Sequence, residues 1–425
     1  MQKGVKVRLI VHEILKLIKI KSYDFDNALL IKIHKKNIIL SDKKFIYKVV
    51  LNSLRYYFLV DQIIGTLTKK IKKNSDDYFL LLSAITQIVF LNFKDFAVVN
   101  CTVELAKLNK NKYSKNFINA VLRNVVNKKK LLQKTKIKFN KLPKWFLEKT
   151  QNLNLSNRNV FIKSILEEPD LHIVFKKFKK IPHSINGVKT TNNSMVVKNF
   201  DSIESIPEYE KGSWWVQDLG AMLPIYLTEI SDNAKAIDLC AAPGGKTFQL
   251  FDKGAKITAY EKSVNRSNIM RNNLNRLKIK CDLKTKDSLK LKSNQQYDLV
   301  VLDAPCSAIG TIRRNPEIFY KKNPPNFKDI LKLQYDFLKI SKRMLKVKGM
   351  LIYIVCSFLE EEGEKQINKF LIENKNFSIN KYSGEKFNFS KGLINKNGFI
   401  STIPKKLDNG VLIDGFFAAK LIRNA

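Results

Sequence analysis

The chain is 425 residues long and 44% hydrophobic, more than one core usually accommodates, so two or three domains are expected. Its cysteines, Cys101, Cys240, Cys281, Cys306 and Cys356, show no CxxC spacing and do not cluster with the histidines, which argues against a disulfide framework and structural zinc and leaves no metal expected. A net charge of +39 suits contact with a polyanion such as RNA, although a lysine- and asparagine-rich, AT-biased composition supplies part of it.

The N-terminal stretch "MQKGVKVRLIVHEILKLIKIKS" starts basic, but His12, Glu13, Lys16 and Lys19 interrupt its apolar residues at the spacing of an amphipathic helix. It does not have the form of a signal peptide, and a cytoplasmic location is expected. Residues 1–126 carry apolar positions at helical spacing, as in Ile10, Ile14, Leu17 and Ile18, and read as all-helical. The longest apolar stretch, "YFLLLSAITQIVFLNF" at 78–93, is too short to span a bilayer and contains Ser83, Thr86, Gln87 and Asn92, so it is expected to be a buried helix with no membrane role.

Two later segments, "VVNCTVELAK" and "INAVLR", stand on either side of a lysine- and asparagine-rich gap, the second within an apolar stripe of Phe117, Val121, Leu122 and Val125. Together they resemble the late helices of the NusB-type RNA-binding domain. A helical RNA-binding domain is therefore expected over 1–139, ending in the basic connector "NKKKLLQKTKIK", with a small intermediate module over 140–210.

From 234 onward, strand-length apolar runs alternate with amphipathic segments: "AKAIDLC", "KITAYE", "YDLVVLDAP" and "GMLIYIVCS". That rhythm predicts an α/β, Rossmann-like domain over 211–425 with a doubly wound parallel sheet. The first run leads into "IDLCAAPGGKT", where Gly244 and Gly245 let backbone approach a ligand just before a helix. A P-loop would need glycine at position 240, which is Cys240, and no GxGxxG occurs. Glu261, closing "KITAYE", is well placed for ribose hydroxyls, and Asp287 suits either an adenine amino group or a solvated turn.

Two cysteines end strand-like runs: Cys306 in "VVLDAPCSAIGTIRRNPE" and Cys356 in "IYIVCSFLEEE". Taken singly, each could be a small buried hydrophobe. With "DLCAAPGGKT" before them and "DGFFAAKL" after them, however, they look like the RNA 5-methylcytosine methyltransferases, and the whole chain resembles the RsmB (Sun) subfamily. The resemblance covers four ordered motifs in the last half. It departs at Val355, where the family commonly has threonine, and at "IVFK", where "LRVN" is usual.

The resemblance implies S-adenosylmethionine as cofactor, held by Cys240, Ala241, Ala242, Pro243, Gly244, Gly245 and Lys246, with Glu261 on the ribose, Asp287 near adenine and Asp303 also in contact. It implies cytosine in RNA as substrate, Cys356 as nucleophile, Cys306 in product release and Asp303 on the cytosine ring. Carbon 5 of cytosine is a poor nucleophile, and a thiolate adding at carbon 6 supplies the missing electron density. Pro305 and Ser307 would shape the loop, while Lys246, Arg313 and Arg314 could tune the thiols or hold phosphates. The NusB-like front favours 16S ribosomal RNA, acted on by a monomer. The alternatives are a transfer RNA cytosine-5 methyltransferase and a non-catalytic RNA-binding or assembly factor.

Overall fold

The computed structural model describes residues 3–34, 38–69, 71–108, 114–177, 179–291, 295–384 and 392–424. They form two units, one of residues 1–167 with 312–324, the other of residues 168–311 with 325–425.

The first unit is helical: α1 (Lys3–Lys21), α2 (Phe25–Ile33), α3 (Leu40–Arg55), α4 (Tyr57–Leu67), α5 (Asp76–Ile85), α6 (Asp95–Ala106), α7 (Ser114–Asn127), α8 (Lys129–Leu132), α9 (Lys144–Lys149) and α10 (Leu155–Ser164). Of the stripe read from α1, Ile10, Ile14 and Ile18 are buried and Leu17 is half-buried, with Val11 and Leu15 buried beside them. Two N-caps set helix starts: Asp24 accepts from the Asn27 amide at 2.8 Å, and Ser75 from the Tyr78 amide at 3.3 Å. The stretch 78–93 is buried over residues 78–89 and emerges at Asn92, which is exposed; its α-helix ends at Ile85 and continues as a π-turn over Thr86–Phe90. Its polar residues are absorbed locally. Thr86 donates to the Leu82 carbonyl at 2.8 Å, and Gln87 donates to the Ser83 carbonyl while accepting from Arg8 at 2.9 Å.

Residues 312–324 follow the Cys306 loop in the chain yet belong to this helical unit. Tyr320 is fully buried in its core, packed edge-on against Tyr57 at 4.8 Å between ring centres. Phe319 meets Phe146 at 4.9 Å, Trp145 at 5.9 Å and Phe58 at 6.0 Å. Arg55 donates to the Arg313 carbonyl at 3.0 Å, and the Phe25 amide to Glu317 at 3.4 Å.

The second unit begins with β1 (Leu171–Phe175), β2 (Gly187–Thr191), β3 (Ser194–Val197) and β4 (Trp214–Val216), an antiparallel sheet in the order β2-β3-β1-β4. After α11 (Leu219–Tyr226) come β5 (Lys235–Asp238), α12 (Gly245–Asp252), β6 (Lys256–Tyr260), α13 (Val264–Leu277), β7 (Asp282–Lys284), β8 (Tyr297–Asp303), α14 (Phe327–Met344), β9 (Leu345–Val355), α15 (Glu364–Glu373), β10 (Phe377–Ile379), β11 (Ile400–Thr402), β12 (Lys405–Lys406), β13 (Leu412–Ile413) and β14 (Phe416–Arg423). The main sheet runs β10-β14-β9-β8-β5-β6-β7.

Strands β5 to β9 pair in parallel, as the alternating pattern predicts, but the sheet is mixed: β14, which carries "FFAAKL", is antiparallel to β9, and β10 is antiparallel to β14. The apolar runs are continuous because both faces are covered. On β8, Leu299 and Val301 enter one core while Val300 and Leu302 enter the other. The strand order reverses between β5 and β8, and in open α/β sheets that is where a crevice forms beyond the carboxyl ends of the strands. Among the described residues, no helix is long and apolar enough to cross a membrane.

The segment 312–324 yields a stability prediction. Phe319→Ala should cost about 3–5 kcal/mol in chemical denaturation, the usual range for emptying a buried aromatic site. Tyr320→Phe should be neutral or stabilising, because the buried Tyr320 hydroxyl has no hydrogen-bond partner among the described residues. An unchanged midpoint for Phe319→Ala would show that the segment is not part of the core.

Candidate active site

Four of the five parallel strands deliver an acid at or beyond their carboxyl ends. Asp238 closes β5, Glu261 follows β6, Asp287 lies beyond β7 and Asp303 closes β8. In a chain of net charge +39 this is a local inversion of sign, suited to a cationic, hydroxyl-bearing ligand.

Asp238 is fully buried and accepts from the Thr247 hydroxyl at 2.7 Å, while its other oxygen has no partner among the described residues. Burial pushes this carboxyl up to about 7, against the downward pull of the Thr247 hydrogen bond. Above it runs the loop Cys240, Ala241, Ala242, Pro243, Gly244, Gly245. Burial, reinforced by the neighbouring carboxylates, raises the Cys240 thiol well above its usual range, so Cys240 stays protonated. The glycines differ. Gly244 has φ of +114°, and a Cβ there would lie 2.2 Å from the Phe248 ring, whereas a Cβ on Gly245 would meet Gln217 at 3.1 Å. Only the first position demands glycine on backbone grounds.

Lys246, on the first turn of α12, points back to Asp303 and pairs with it at 2.6 Å. Burial alone would lower its pKa, but the Asp303 carboxylate outweighs burial and raises it, so Lys246 keeps its charge. Glu261, 5% exposed, accepts from the Ser263 amide at 2.8 Å and pairs with Arg266 at 3.5 Å. Arg266 also donates to the Ala242 carbonyl, which joins the glycine loop to the Glu261 turn. Asp287 accepts from the Leu289 amide at 3.1 Å and pairs with Lys262 at 3.2 Å. The orphaned Asp238 oxygen, the Gly244 cradle and the Glu261 carboxylate fit a ligand that carries a ribose and a positive charge.

The two thiols meet. Cys306 and Cys356 lie 50 positions apart in sequence, yet their sulfurs are 3.1 Å apart and both cysteines are free. Cys306 holds its proton well beyond the ordinary thiol range, first through its hydrogen bond to Cys356 and then through burial. Its loop is fixed by close backbone contact: the Gly310 amide donates to the Cys356 carbonyl at 3.0 Å, and the Gly415 amide donates to the Gly310 carbonyl at 2.9 Å. A Cβ on Gly310 would fall 1.8 Å from the Gly415 carbonyl oxygen, so the loop closes only around glycine.

The structure brings Cys306 to Cys356 and Lys246 to Asp303, and links Glu261 to the glycine loop through Arg266. Arg313 is fully buried within the helical unit, which removes it from contact with a phosphate, and Arg314 is half-buried. Sequence reasoning missed Glu362, which is fully buried and accepts from Ser307 and Ser357, the residues that follow the two cysteines. Its only signal was its place in "CSFLEEEGE", where it reads like its solvated neighbours.

Residues 225–422 match the family model described as 16S rRNA methyltransferase RsmB/F, and residues 5–127 match that of the NusB family. The chain is similar to ribosomal RNA small subunit methyltransferase B of Photorhabdus laumondii, 28% identical over 413 residues covering 91% of this chain and 92% of the relative. It is also similar to the probable ribosomal RNA small subunit methyltransferase B of Coxiella burnetii, 26% identical over 434 residues covering 93% and 94% of the two chains. Among solved structures, the crystal structure of PH0851 shares the fold with a TM-score of 0.74 over 99% of both chains at 18% identity. That of NSun6 from Pyrococcus horikoshii with SFG reaches 0.55 over 67% of this chain and 98% of that one, at 20% identity. The crevice of acids, the paired thiols and the two matches in chain order agree: the chain carries a methyltransferase domain of the RsmB/F type over residues 225–422, preceded by a NusB-family domain over residues 5–127.

Proposed function

We propose that the chain transfers a methyl group from S-adenosylmethionine to carbon 5 of a cytosine in 16S ribosomal RNA, through a covalent adduct on Cys356. The observation that carries this reading is the thiol pair, 3.1 Å apart, in which one sulfur is held protonated beside the other. Two buried cysteines serving only as packing would need neither this contact nor a charged lysine and carboxylate beside them.

S-adenosylmethionine supplies the methyl group as an electrophile. Gly244 and Gly245 would give its backbone-lined cradle, Glu261 would accept from its ribose hydroxyls, Asp287 would serve its adenine, and Asp238 and Asp303 would meet its positive end. Cys240, Ala241, Ala242 and Pro243 complete the loop, and Lys246 holds Asp303 in place. Cys356, as thiolate, adds through sulfur to carbon 6 of cytosine, which makes carbon 5 nucleophilic enough to take the methyl group, whose bond to the cofactor's sulfur would break with the electron pair left on that sulfur. Asp303 hydrogen-bonds the ring as its charge changes. In the discharge step a base removes the carbon 5 proton, the C–H electron pair forms the C5–C6 double bond, and the C6–S pair returns to Cys356. Its contact with Cys356 supports a part for Cys306 in that step.

In this reading the helical residues 1–139 contribute RNA contacts, residues 140–210 link them to the rest, and residues 211–425 carry the chemistry. The protein acts in the cytoplasm as a monomer on 16S rRNA. The net charge of +39 supports a strongly salt-dependent affinity for RNA.

Calorimetry with S-adenosylmethionine should show Glu261→Ala and Gly244→Ala each binding at least about 10-fold more weakly, the effect of losing one well-made polar contact or straining the cradle. Unchanged affinity in both would sink the cofactor assignment. The cysteines should fail differently. Cys356→Ala should lose methyl transfer by orders of magnitude and form no covalent species. Cys306→Ala should still attack but release slowly, so a slow band of protein joined to labelled RNA should accumulate on a denaturing gel. A band in Cys356→Ala instead would exchange the two roles, and full activity in both variants would remove the covalent route.

A further inference from the structure

We infer that Glu362 is a positioning residue whose buried carboxylate holds the Cys306 loop and the Cys356 loop at one spacing. The inference rests on the proposed roles of those thiols.

Glu362 sits in the turn between β9 and α15 and is fully buried. One carboxylate oxygen accepts from the Ser307 amide at 2.7 Å and from the Gln334 side chain at 3.2 Å. The other accepts from the Ser307 and Ser357 hydroxyls, each at 2.5 Å. Ser307 follows Cys306 directly, and Ser357 follows Cys356. The same Gln334 amide group donates to the carbonyl of Pro305 at 3.1 Å, so the residues on both sides of Cys306 are tied to this network. The Tyr353 hydroxyl donates to the Glu362 carbonyl at 2.6 Å and fixes the turn to β9.

A buried carboxylate is costly unless its lone pairs are filled, and here every partner is a donor. Charge-assisted bonds of this kind are short and directional, so two loops that share one carboxylate cannot shift independently. The carboxylate also acts on the Cys306 thiol. Cys306 owes its protonation first to its hydrogen bond with Cys356 and then to burial, and the Glu362 charge adds in the same direction. The serines that follow the two cysteines are therefore the means by which one acid grips both thiol loops.

The full-length Glu362→Gln variant tests this, because its amide keeps size and burial but replaces one acceptor with a donor and removes the charge. Each thiol's alkylation by iodoacetamide, mapped by peptide mass spectrometry across a pH series, reports positioning without any RNA. In the wild type, Cys356 should label before Cys306. In Glu362→Gln that order should weaken, with Cys306 reacting at lower pH, and methyl transfer should fall about 10- to 100-fold in kcat at unchanged KM for RNA, as expected for a misplacement of order 1 Å. Ser357→Ala, which removes one of the carboxylate's hydrogen bonds together with the Ser357 hydroxyl's contacts to the Leu359 amide at 3.2 Å and the Ser307 hydroxyl at 3.4 Å, leaves the carboxylate otherwise paired; it should move both readouts the same way by less, and it serves if Glu362→Gln does not fold. Wild-type labelling order in both variants overturns the inference, as does a loss of kcat that comes with equal losses of cofactor affinity and melting temperature while the order is kept. If instead the labelling order is lost in Glu362→Gln but Cys306→Ala yields no RNA adduct, the clamp stands and the proposed reaction falls.

Discussion

The parallel register of β8 and β9 is the constraint on which the rest of the site depends. It pairs Asp303 with Ile354, so that the chain leaving β8 and the chain leaving β9 emerge side by side. Cys306 comes three residues after Asp303 and Cys356 two after Ile354, and the sulfurs therefore meet although 50 positions separate them. A slip in this pairing would separate the thiols, take Asp303 from Lys246 and open the serine bonds to Glu362 together. The wide burial of both strands on both faces is what makes such a slip costly, since every displaced residue would leave a filled core.

The chain that continues from the Cys306 loop does not stay with the sheet. Residues 312–324 enter the helical unit, where Phe319 and Tyr320 complete its aromatic core. The helical residues are thus not a module attached only at one end of the chain. Removing residues 1–126 would strip Tyr320 of Tyr57 and Phe319 of Phe58, and would disturb a segment that begins six residues after Cys306. Charge substitutions on exposed lysines therefore isolate the contribution of this unit to RNA binding more cleanly than truncation does.

Much of this was legible in the sequence because its chemistry-bearing residues sit at the ends of apolar runs. Asp238, Asp303, Cys306 and Cys356 each close or follow a strand whose two-faced burial made it stand out, and the glycine loop and NusB-like segments read by the same local logic. What was not legible depends on partners distant in sequence. Glu360 is exposed and Glu362 fully buried in a run of three identical acids, and nothing local separates them; only Ser307 and Gln334, far away in the chain, do so. Phe319 and Tyr320 lie in a polar, proline-bearing stretch that reads as loop, because their core belongs to helices some 260 residues earlier. The direction of β14 was hidden for a related reason. An antiparallel strand on an otherwise parallel sheet shows the same apolar run, and only its pairing with β9 distinguishes it.

The central claim is that one of two touching thiols attacks the base and the other does not. It can be tested by giving the protein S-adenosylmethionine and 16S rRNA transcribed with 5-fluorocytidine. Fluorine in place of the carbon 5 hydrogen leaves no proton to remove, so the adduct cannot discharge. After nuclease and protease digestion, mass spectrometry should find a methylated fluorocytidine nucleotide on the peptide containing Cys356. Finding it on the Cys306 peptide, or finding no nucleotide on either while unsubstituted RNA is methylated normally, would contradict the account.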